Sequence, residues 1–183
     1  IVDNSNATAI TIDSNENVAF SGNISTSTAG TSNFIAGVNA GNSITSGGEQ
    51  NVLVGDEAGT AITTGADNTI VGSLAGDAIT TGTGNTVVGK SALTSNTVAS
   101  GNTAIGQAAM KENTLSAFNV SVGKNSLRNL NHTTATNAYN VAVGNEAGQG
   151  ITTGVRNTLI GGLAGDSLTT GSYNVGLGYD SLA

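Results

Sequence analysis

Hydrophobic and polar positions recur along this chain with a regular period. Each unit starts with Asn and ends, four positions later, on Gly, as in Asn68-Thr69-Ile70-Val71-Gly72. The units begin at Asn33, Asn51, Asn68, Asn85, Asn102, Asn119, Asn140, Asn157 and Asn174. Successive start numbers differ by 18, 17, 17, 17, 17, 21, 17 and 17. A period this regular predicts a stack of equivalent structural units.

We number positions within each unit from its Asn as zero. Position +3 is always apolar and mostly β-branched, position +1 is Val, Thr or Phe, and position +7 is Ala or Ser. This composition and alternation are typical of a strand, and the constant Gly at +4 indicates positive φ or a neighbour too close for a Cβ. The pattern predicts an all-β fold, a parallel β-solenoid or β-roll whose coils stack about 4.8 Å apart. We expect the Asn side chains to form a buried ladder along the stack.

Both faces of the predicted strand are apolar. We expect the +3 side chains to fill the coil core, namely Val54, Val71, Val88, Ile105, Val122, Val143, Ile160 and Leu177. Position +2 points to the opposite face, and a strand that is apolar on both sides is covered on both sides. We therefore expect the +2 side chains to face another chain or another layer of the same chain, principally Ile35, Leu53, Ile70, Val87 and Leu159.

The repeat divides the chain into two parts. The repeat domain covers 33–183, and the segment 1–32 lies outside the strict period. The alternating stretch at 7–13, the turn-rich SNEN at 14–17 and Val18-Ala19-Phe20 indicate a hairpin or two degenerate coils, either of which suits an N-terminal cap. Because the chain starts at Ile1 without an initiator Met or a signal-peptide pattern, we expect it to be a fragment or a processed product.

Composition narrows the functional classes. Of 183 residues, 27 are Gly, none is Cys, Pro or Trp, and only 9% are charged, with a net charge of −7. A negative chain is a poor partner for nucleic acid, which needs a basic surface. No apolar run reaches the roughly 18 residues of a membrane span. All but one of the basic side chains lie in the middle units, so the stack is chemically zoned: Lys90, Lys111, Lys124 and Arg128.

Signals for catalysis or cofactor binding are weak. His132 is the only His, no Cys exists, and the paired acids Asp56-Glu57 lack a calcium-binding pattern, so we expect neither an enzyme nor a bound cofactor or metal. Thr pairs recur at 63–64, 80–81, 152–153 and 169–170 and leave an ice-binding solenoid as an alternative. That row is interrupted by Val98, Leu115 and His132.

The insertion before Asn140, where the step between successive Asn residues is 21 instead of 17, is the best local candidate for binding specificity. Insertions in repeat stacks emerge as loops on one face, often the binding face. The predicted receptor-contact loop, which would suit a glycan, comprises Asn129, Asn131, His132, Thr133, Thr134, Thr136, Asn137 and Tyr139. The alternative interpretation is a tolerated surface bulge.

Two stretches resemble the head repeats of trimeric autotransporter adhesins: Asn102-Thr103-Ala104-Ile105-Gly106-Gln107-Ala108-Ala109 and Asn140-Val141-Ala142-Val143-Gly144-Asn145-Glu146-Ala147. The units with Thr-Thr-Gly and the opening Ala-Thr-Ala-Ile-Thr-Ile-Asp-Ser-Asn-Glu-Asn-Val at 7–18 resemble tail-fibre-like proteins of phages. The coils are longer than those typical of adhesin heads.

These resemblances imply a homotrimer of parallel β-rolls, with the side chains of position +2 at the trimer interface. They also imply an adhesive or structural role. We expect a segment of a viral tail-fibre rod that presents loops to a host-surface receptor, located in the virion or extracellularly. A bacterial trimeric adhesin head is the alternative.

Overall fold

The computed structural model describes residues 10–12, 18–20 and 29–183. Ile10–Ile12 (β1) pairs antiparallel with Val18–Phe20 (β2), with Ile10 opposite Phe20. This pairing is the hairpin of the two alternatives considered for the N-terminal segment. The rest of the chain up to position 28 lies outside the described part.

Each repeat contributes one short strand, from +1 to +3, to a parallel sheet of nine strands. The strands are Phe34–Ala36 (β3), Val52–Val54 (β4), Thr69–Val71 (β5), Thr86–Val88 (β6), Thr103–Ile105 (β7), Val120–Val122 (β9), Val141–Val143 (β11), Thr158–Ile160 (β12) and Val175–Leu177 (β13). A second, two-stranded sheet pairs Ser116–Ala117 (β8) with Thr136–Asn137 (β10) in parallel. The described part of the chain contains no helix. The predicted all-β parallel solenoid is therefore confirmed.

Each complete coil has three sides. The strand side runs from 0 to +3 and ends at the Gly of position +4. The turn side, from +4 to +11, contains two successive tight turns, illustrated by the hydrogen bonds from Ala75 N to Gly72 O (3.2 Å) and from Ile79 N to Gly76 O (3.1 Å). The return side leads from +12 to the next Asn. At +4, Gly72 has φ +138°, and an added Cβ would lie 2.7 Å from the carbonyl of Gly89 in the next coil, so only Gly fits there.

Backbone hydrogen bonds join neighbouring coils at equivalent positions on the strand and turn sides. In the sheet, Ile70 lies opposite Val87. On the turn side, Leu74 N donates to Asp56 O at 2.9 Å and Gly76 N donates to Ala92 O at 2.9 Å. Because each coil stacks on the next in this register, side chains at one coil position form a column along the stack.

The Asn side chains of position zero form such a column inside the protein. The side-chain nitrogen of Asn68 donates to the side-chain oxygen of Asn51 (3.1 Å) and to the carbonyl of Gly82 (3.0 Å). The side-chain oxygen of Asn68 accepts from the backbone and side-chain nitrogens of Asn85, both at 3.0 Å. The predicted Asn ladder is confirmed.

The core contains the +2 side chains, so the predicted assignment of the two strand faces is wrong. At position +2, Leu53, Ile70, Val87 and Leu159 are fully buried within one chain, and Ile35 packs partly buried against them. The predicted core side chains instead point outwards, half-buried or exposed: Val54, Val71, Val88, Ile105, Val122, Val143, Ile160 and Leu177. The physical reason is the alternation of side chains along a strand, which puts the +2 side chain on the same face as the buried Asn.

The core is filled by side chains from three columns, at positions +2, +8 and +11, and the coils differ in the residues that they carry at +8 and +11. Coils with Gly at +8 carry Ile or Leu at +11, and an added Cβ on Gly76 would lie 2.9 Å from Cδ1 of Ile79 and 3.0 Å from Cδ1 of Ile70. The Asn85 coil instead has Leu93 at +8 and Asn96 at +11, both fully buried. In the Asn85 and Asn102 coils a large side chain at +8 accompanies Asn at +11, whereas the Asn119 coil buries Leu127 at +8 and Leu130 at +11 and has the small Ser121 at +2.

Candidate interaction surfaces

The outward +1 and +3 side chains of the nine strands form one continuous surface, which we call the strand face. Its side chains are those of Val, Thr, Ile, Leu, Phe and Ala, and none is charged. Most are half-exposed or exposed, as Val52 and Ile105 illustrate at 37% each. At strand spacing the face is about 40 Å long. An uncharged apolar strip of this length is typical of a surface that binds another protein.

A column of large side chains borders the strand face at the position preceding each of the last four Asn residues of the repeat. The rings of Phe118 and Tyr139 stack with centroids 5.6 Å apart and an interplanar angle of 10°. In the next two coils, the guanidinium of Arg156 lies 5.3 Å from the ring centroid of Tyr173 and donates to its hydroxyl at 2.6 Å. These four side chains are exposed, so the column widens the surface available to a partner along the C-terminal half of the stack.

The side chain of His132 lies inside the protein and not on the surface of the insertion. Its Nδ1 is 2.5 Å from Ser116 Oγ, and its Nε2 is 3.1 Å from the Thr153 carbonyl. A carbonyl only accepts, so Nε2 carries a proton, and in the neutral ring Nδ1 accepts from the Ser116 hydroxyl. The ring thus links the coil before the insertion to the coil after it. With only 8% of its surface exposed, His132 does not belong to a receptor-contact loop, and that part of the prediction is wrong.

The other side chains of the predicted loop lie nearer the surface. Those that are exposed are Asn129, Asn131, Thr133, Thr134, Asn137 and Tyr139, while Thr136 is half-buried. Asn131 accepts a hydrogen bond from the Thr114 hydroxyl at 2.7 Å, and the Thr136 hydroxyl donates to Thr134 O at 3.0 Å. The insertion therefore presents amide and hydroxyl groups suited to hydrogen bonding with a polar ligand.

The turn side carries most of the charged side chains, and apart from Glu112 they are sorted by sign along the stack. The first acidic group is Asp56, Glu57 and Asp77, and the last is Glu146, Asp166 and Asp180. Between them lies the basic patch, which we define as Lys90, Lys111, Lys124 and Arg128. Within the described part of the chain the single ion pair joins Lys111 Nζ to Glu112 Oε1 at 3.6 Å. The predicted basic middle of the stack thus lies on one side of the coils.

The carboxyl of Asp77 has a pKa above its ordinary value. Burial raises the pKa of its carboxyl, hydrogen bonds from the backbone amides of Asp77 and Ala78 partly offset this, and the nearby Glu57 charge adds to the increase. Its Oδ1 is buried without a hydrogen-bond partner. The ionised form of the Asp77 carboxyl is therefore disfavoured in the folded state.

The Thr side chains on the return side do not form a free array of hydroxyl groups. The hydroxyl of Thr63 donates to Thr80 O at 3.2 Å, and that of Thr80 donates to Thr97 O at 3.0 Å. One Thr of each of these pairs therefore bonds within the chain. Across 10–12, 18–20 and 29–183, no group of three or more His, Asp or Glu side chains is placed to hold a metal ion.

Comparison of the chain with protein families, with curated proteins and with solved structures found no match. The resemblance to adhesin heads and tail fibres therefore rests on the repeat motif and on the opening stretch at 7–18. No helix in the described part of the chain is long and apolar enough to cross a membrane.

Proposed function

We propose that this chain is a structural and adhesive segment of an extended homotrimeric fibre, of the kind found in viral tail fibres. The observation that carries the proposal is the strand face, an uncharged apolar strip that extends along the whole sheet. Removing such a strip from water contributes about 25 cal/mol for each Å² of apolar surface. Association through the strand face would stabilise the rod, because the core of a single coil stack is thin.

The direction of the strip favours copies arranged in parallel around an axis along the rod. A surface that runs the full length of each copy can pack along that length when a closed rotation relates the copies. The adhesin-head resemblance of Asn102–Ala109 and Asn140–Ala147 favours three copies. The interface would consist of +1 and +3 side chains such as Val71 and Val88, and not of the buried +2 side chains.

Three copies would present the insertion loop and the turn side three times around the rod. Weak sites displayed in this way gain avidity without any new contact, provided that the receptor surface engages several at once. The proposed mechanism is mechanical and multivalent and needs no catalysis. A bacterial adhesin head would use the same architecture, and neighbouring genes for virion parts or for a membrane anchor distinguish the two.

Native mass spectrometry of the folded chain tests the proposal, and we expect a mass three times the 17.8 kDa of one chain. Val71→Asp on the strand face should abolish association while the circular dichroism of the solenoid persists. Thr81→Asp, an exposed change on the return side, is the matched control and should leave the trimer intact. A folded single-chain species for the parent, or a Val71→Asp variant that associates as the parent does, would overturn the proposal.

A further inference from the structure

We propose that the basic patch binds a short anionic oligosaccharide through the carboxylate, sulfate or phosphate groups that the sugar carries. The inference rests on the proposed adhesive function and names the chemical class of its receptor. It also moves the main binding site from the insertion loop to the turn side of the Asn85, Asn102 and Asn119 coils.

The turns bring the four cations together. Lys90 and Lys124 occupy position +5, and Lys111 and Arg128 occupy position +9. Position +9 lies beside the first turn, because the +9 hydroxyls of Thr60 and Thr94 donate to the +6 carbonyls of their own coils, each at 2.8 Å. Three successive coils at strand spacing span only about 10 Å. Measured along the stack, the four basic residues therefore fall within a length comparable to two or three sugar rings.

The described part of the chain leaves three of these four charges without a carboxylate partner. Within the described part of the chain, Lys111 alone has a carboxylate partner, and both members of that pair are solvent-accessible. Arg128 has its Nε atom buried with no hydrogen-bond partner. Lys111 and Arg128 are equivalent side chains of adjacent coils, so their like charges repel. A bound anion would relieve this repulsion and supply charge-assisted hydrogen bonds.

The surroundings of the patch limit the length of its ligand. The +9 column carries Asp77 before the patch and Asp166 after it, and Glu146 occupies the next coil on the +6 column. A long polyanion such as nucleic acid would extend over these acids and be repelled. A short anion would stay within the three basic coils.

Neutral polar groups next to Arg128 favour a sugar over an acidic peptide. Asn129 and Asn131 follow in the same coil with exposed amides, and the Thr114 hydroxyl bonds to Asn131. Amides and hydroxyls that both donate and accept match the hydroxyl groups of a saccharide. Cations beside such groups suit a sugar that also carries an acidic substituent.

Isothermal titration calorimetry of the full chain with three probes tests the inference. The probes are the carboxylated trisaccharide of galacturonic acid, a sulfated chondroitin trisaccharide, and neutral maltotriose. We expect at least one acidic trisaccharide to bind and the neutral one not to bind. The Lys124→Gln/Arg128→Gln double variant should weaken binding by about tenfold or more, since charged hydrogen bonds are lost. Arg156→Gln, which removes a cation outside the patch, should leave the affinity unchanged.

Three results would overturn the inference: no binding of either acidic trisaccharide, equal weakening by Arg156→Gln, or a triglutamate peptide that binds as tightly as the acidic sugars. Native mass spectrometry on the same samples separates the two proposals. A trimer that binds no acidic sugar contradicts this inference alone. A single folded chain that binds one contradicts the trimeric fibre and leaves the patch assignment in place.

Discussion

Asn51 and Asn68 are joined through their side chains, with the amide nitrogen of Asn68 3.1 Å from the side-chain oxygen of Asn51. The same oxygen of Asn51 also accepts from the backbone nitrogen of Asn68 at 3.0 Å. Both side chains are fully buried, so each amide replaces the water that the neighbouring backbone would otherwise need. The ladder thus lets a narrow coil bury its corner without leaving polar backbone groups unpaired.

Replacing Asn68 with Ala should therefore destabilise the stack strongly. The Gly82 carbonyl and the Asn85 amides would lose their buried partner, and each such loss costs about 1–3 kcal/mol. We expect the free energy of unfolding to fall by roughly 3 kcal/mol or more, measured by urea denaturation. Asn145→Ala, at an exposed position, should change stability by less than about 0.5 kcal/mol. Equal effects of the two changes would contradict a structural role for the ladder.

The two types of coil core predict a compensating pair of substitutions in the Asn85 coil. Leu93→Gly removes a fully buried side chain and should cost about 3 kcal/mol. Asn96→Ile alone crowds Leu93 and should cost about 1 kcal/mol or more, although it also removes an amide that has no hydrogen-bond partner on either atom.

The double variant Leu93→Gly/Asn96→Ile recreates the pairing of Gly76 with Ile79 and should recover much of the lost stability. We expect a favourable coupling of about 1–2 kcal/mol in a double-mutant cycle of urea midpoints. Single effects that simply add would show that the +8 and +11 columns do not share one space.

Much of the fold was predictable because the same local residue pattern recurs in each unit. The Asn and Gly spacing determined each coil start, the strand from +1 to +3, and the positive φ at positions such as Gly72. The orientation of the strand was harder to predict, since Ile70 and Val71 are both apolar. The buried Asn68 held the missing information, because it shares a face with Ile70.

The candidate sites were less predictable than the fold. Lys111 and Arg128 lie in different repeats, and their proximity follows from coil stacking, which the regular period implied. The burial of His132 could not be read from the repeat, because it depends on the path of an insertion that has no second copy in the chain.

Asp77→Asn should stabilise the protein at neutral pH. The raised pKa of Asp77 means that the folded state binds its proton more tightly than the unfolded state does. The contribution of Asp77 to the stability of the folded state therefore increases as the pH falls through the folded-state pKa. Above that pKa the ionised carboxylate destabilises the folded state. We expect Asp77→Asn to raise the thermal unfolding midpoint at pH 7. Near roughly pH 3 the variant should lose this advantage, because the Asp77 carboxyl of the parent is then protonated in both the folded and the unfolded state.

Asp166→Asn is the control for this pH dependence. It makes the same charge change in the same column, at a carboxylate that accepts a hydrogen bond from the exposed Ser167 at 3.3 Å. A thermal midpoint of Asp77→Asn that is unchanged at pH 7, or raised equally at both pH values, would show that the Asp77 charge does not strain the stack.

Deleting Thr133 to Thr136 should leave a regular stack, provided that the side chains fitted to the insertion are also changed. The deletion shortens the separation of Asn119 and Asn140 along the chain from 21 to 17, the separation of Asn140 and Asn157. His132 then occupies the +13 position, and Asn137 the +14 position that holds Gly82 in another coil. We expect the deletion combined with His132→Thr and Asn137→Gly to unfold cooperatively within about 1 kcal/mol of the parent.

In the chain without the deletion, His132→Thr alone should cost about 2 kcal/mol, because Ser116 Oγ and the Thr153 carbonyl lose their buried partner. Urea denaturation of this variant and of the deletion variant measures the difference. The two results together separate the role of the insertion from that of the ring. If the deletion variant fails to fold while His132→Thr is tolerated, the insertion holds the stack together, and His132 does not.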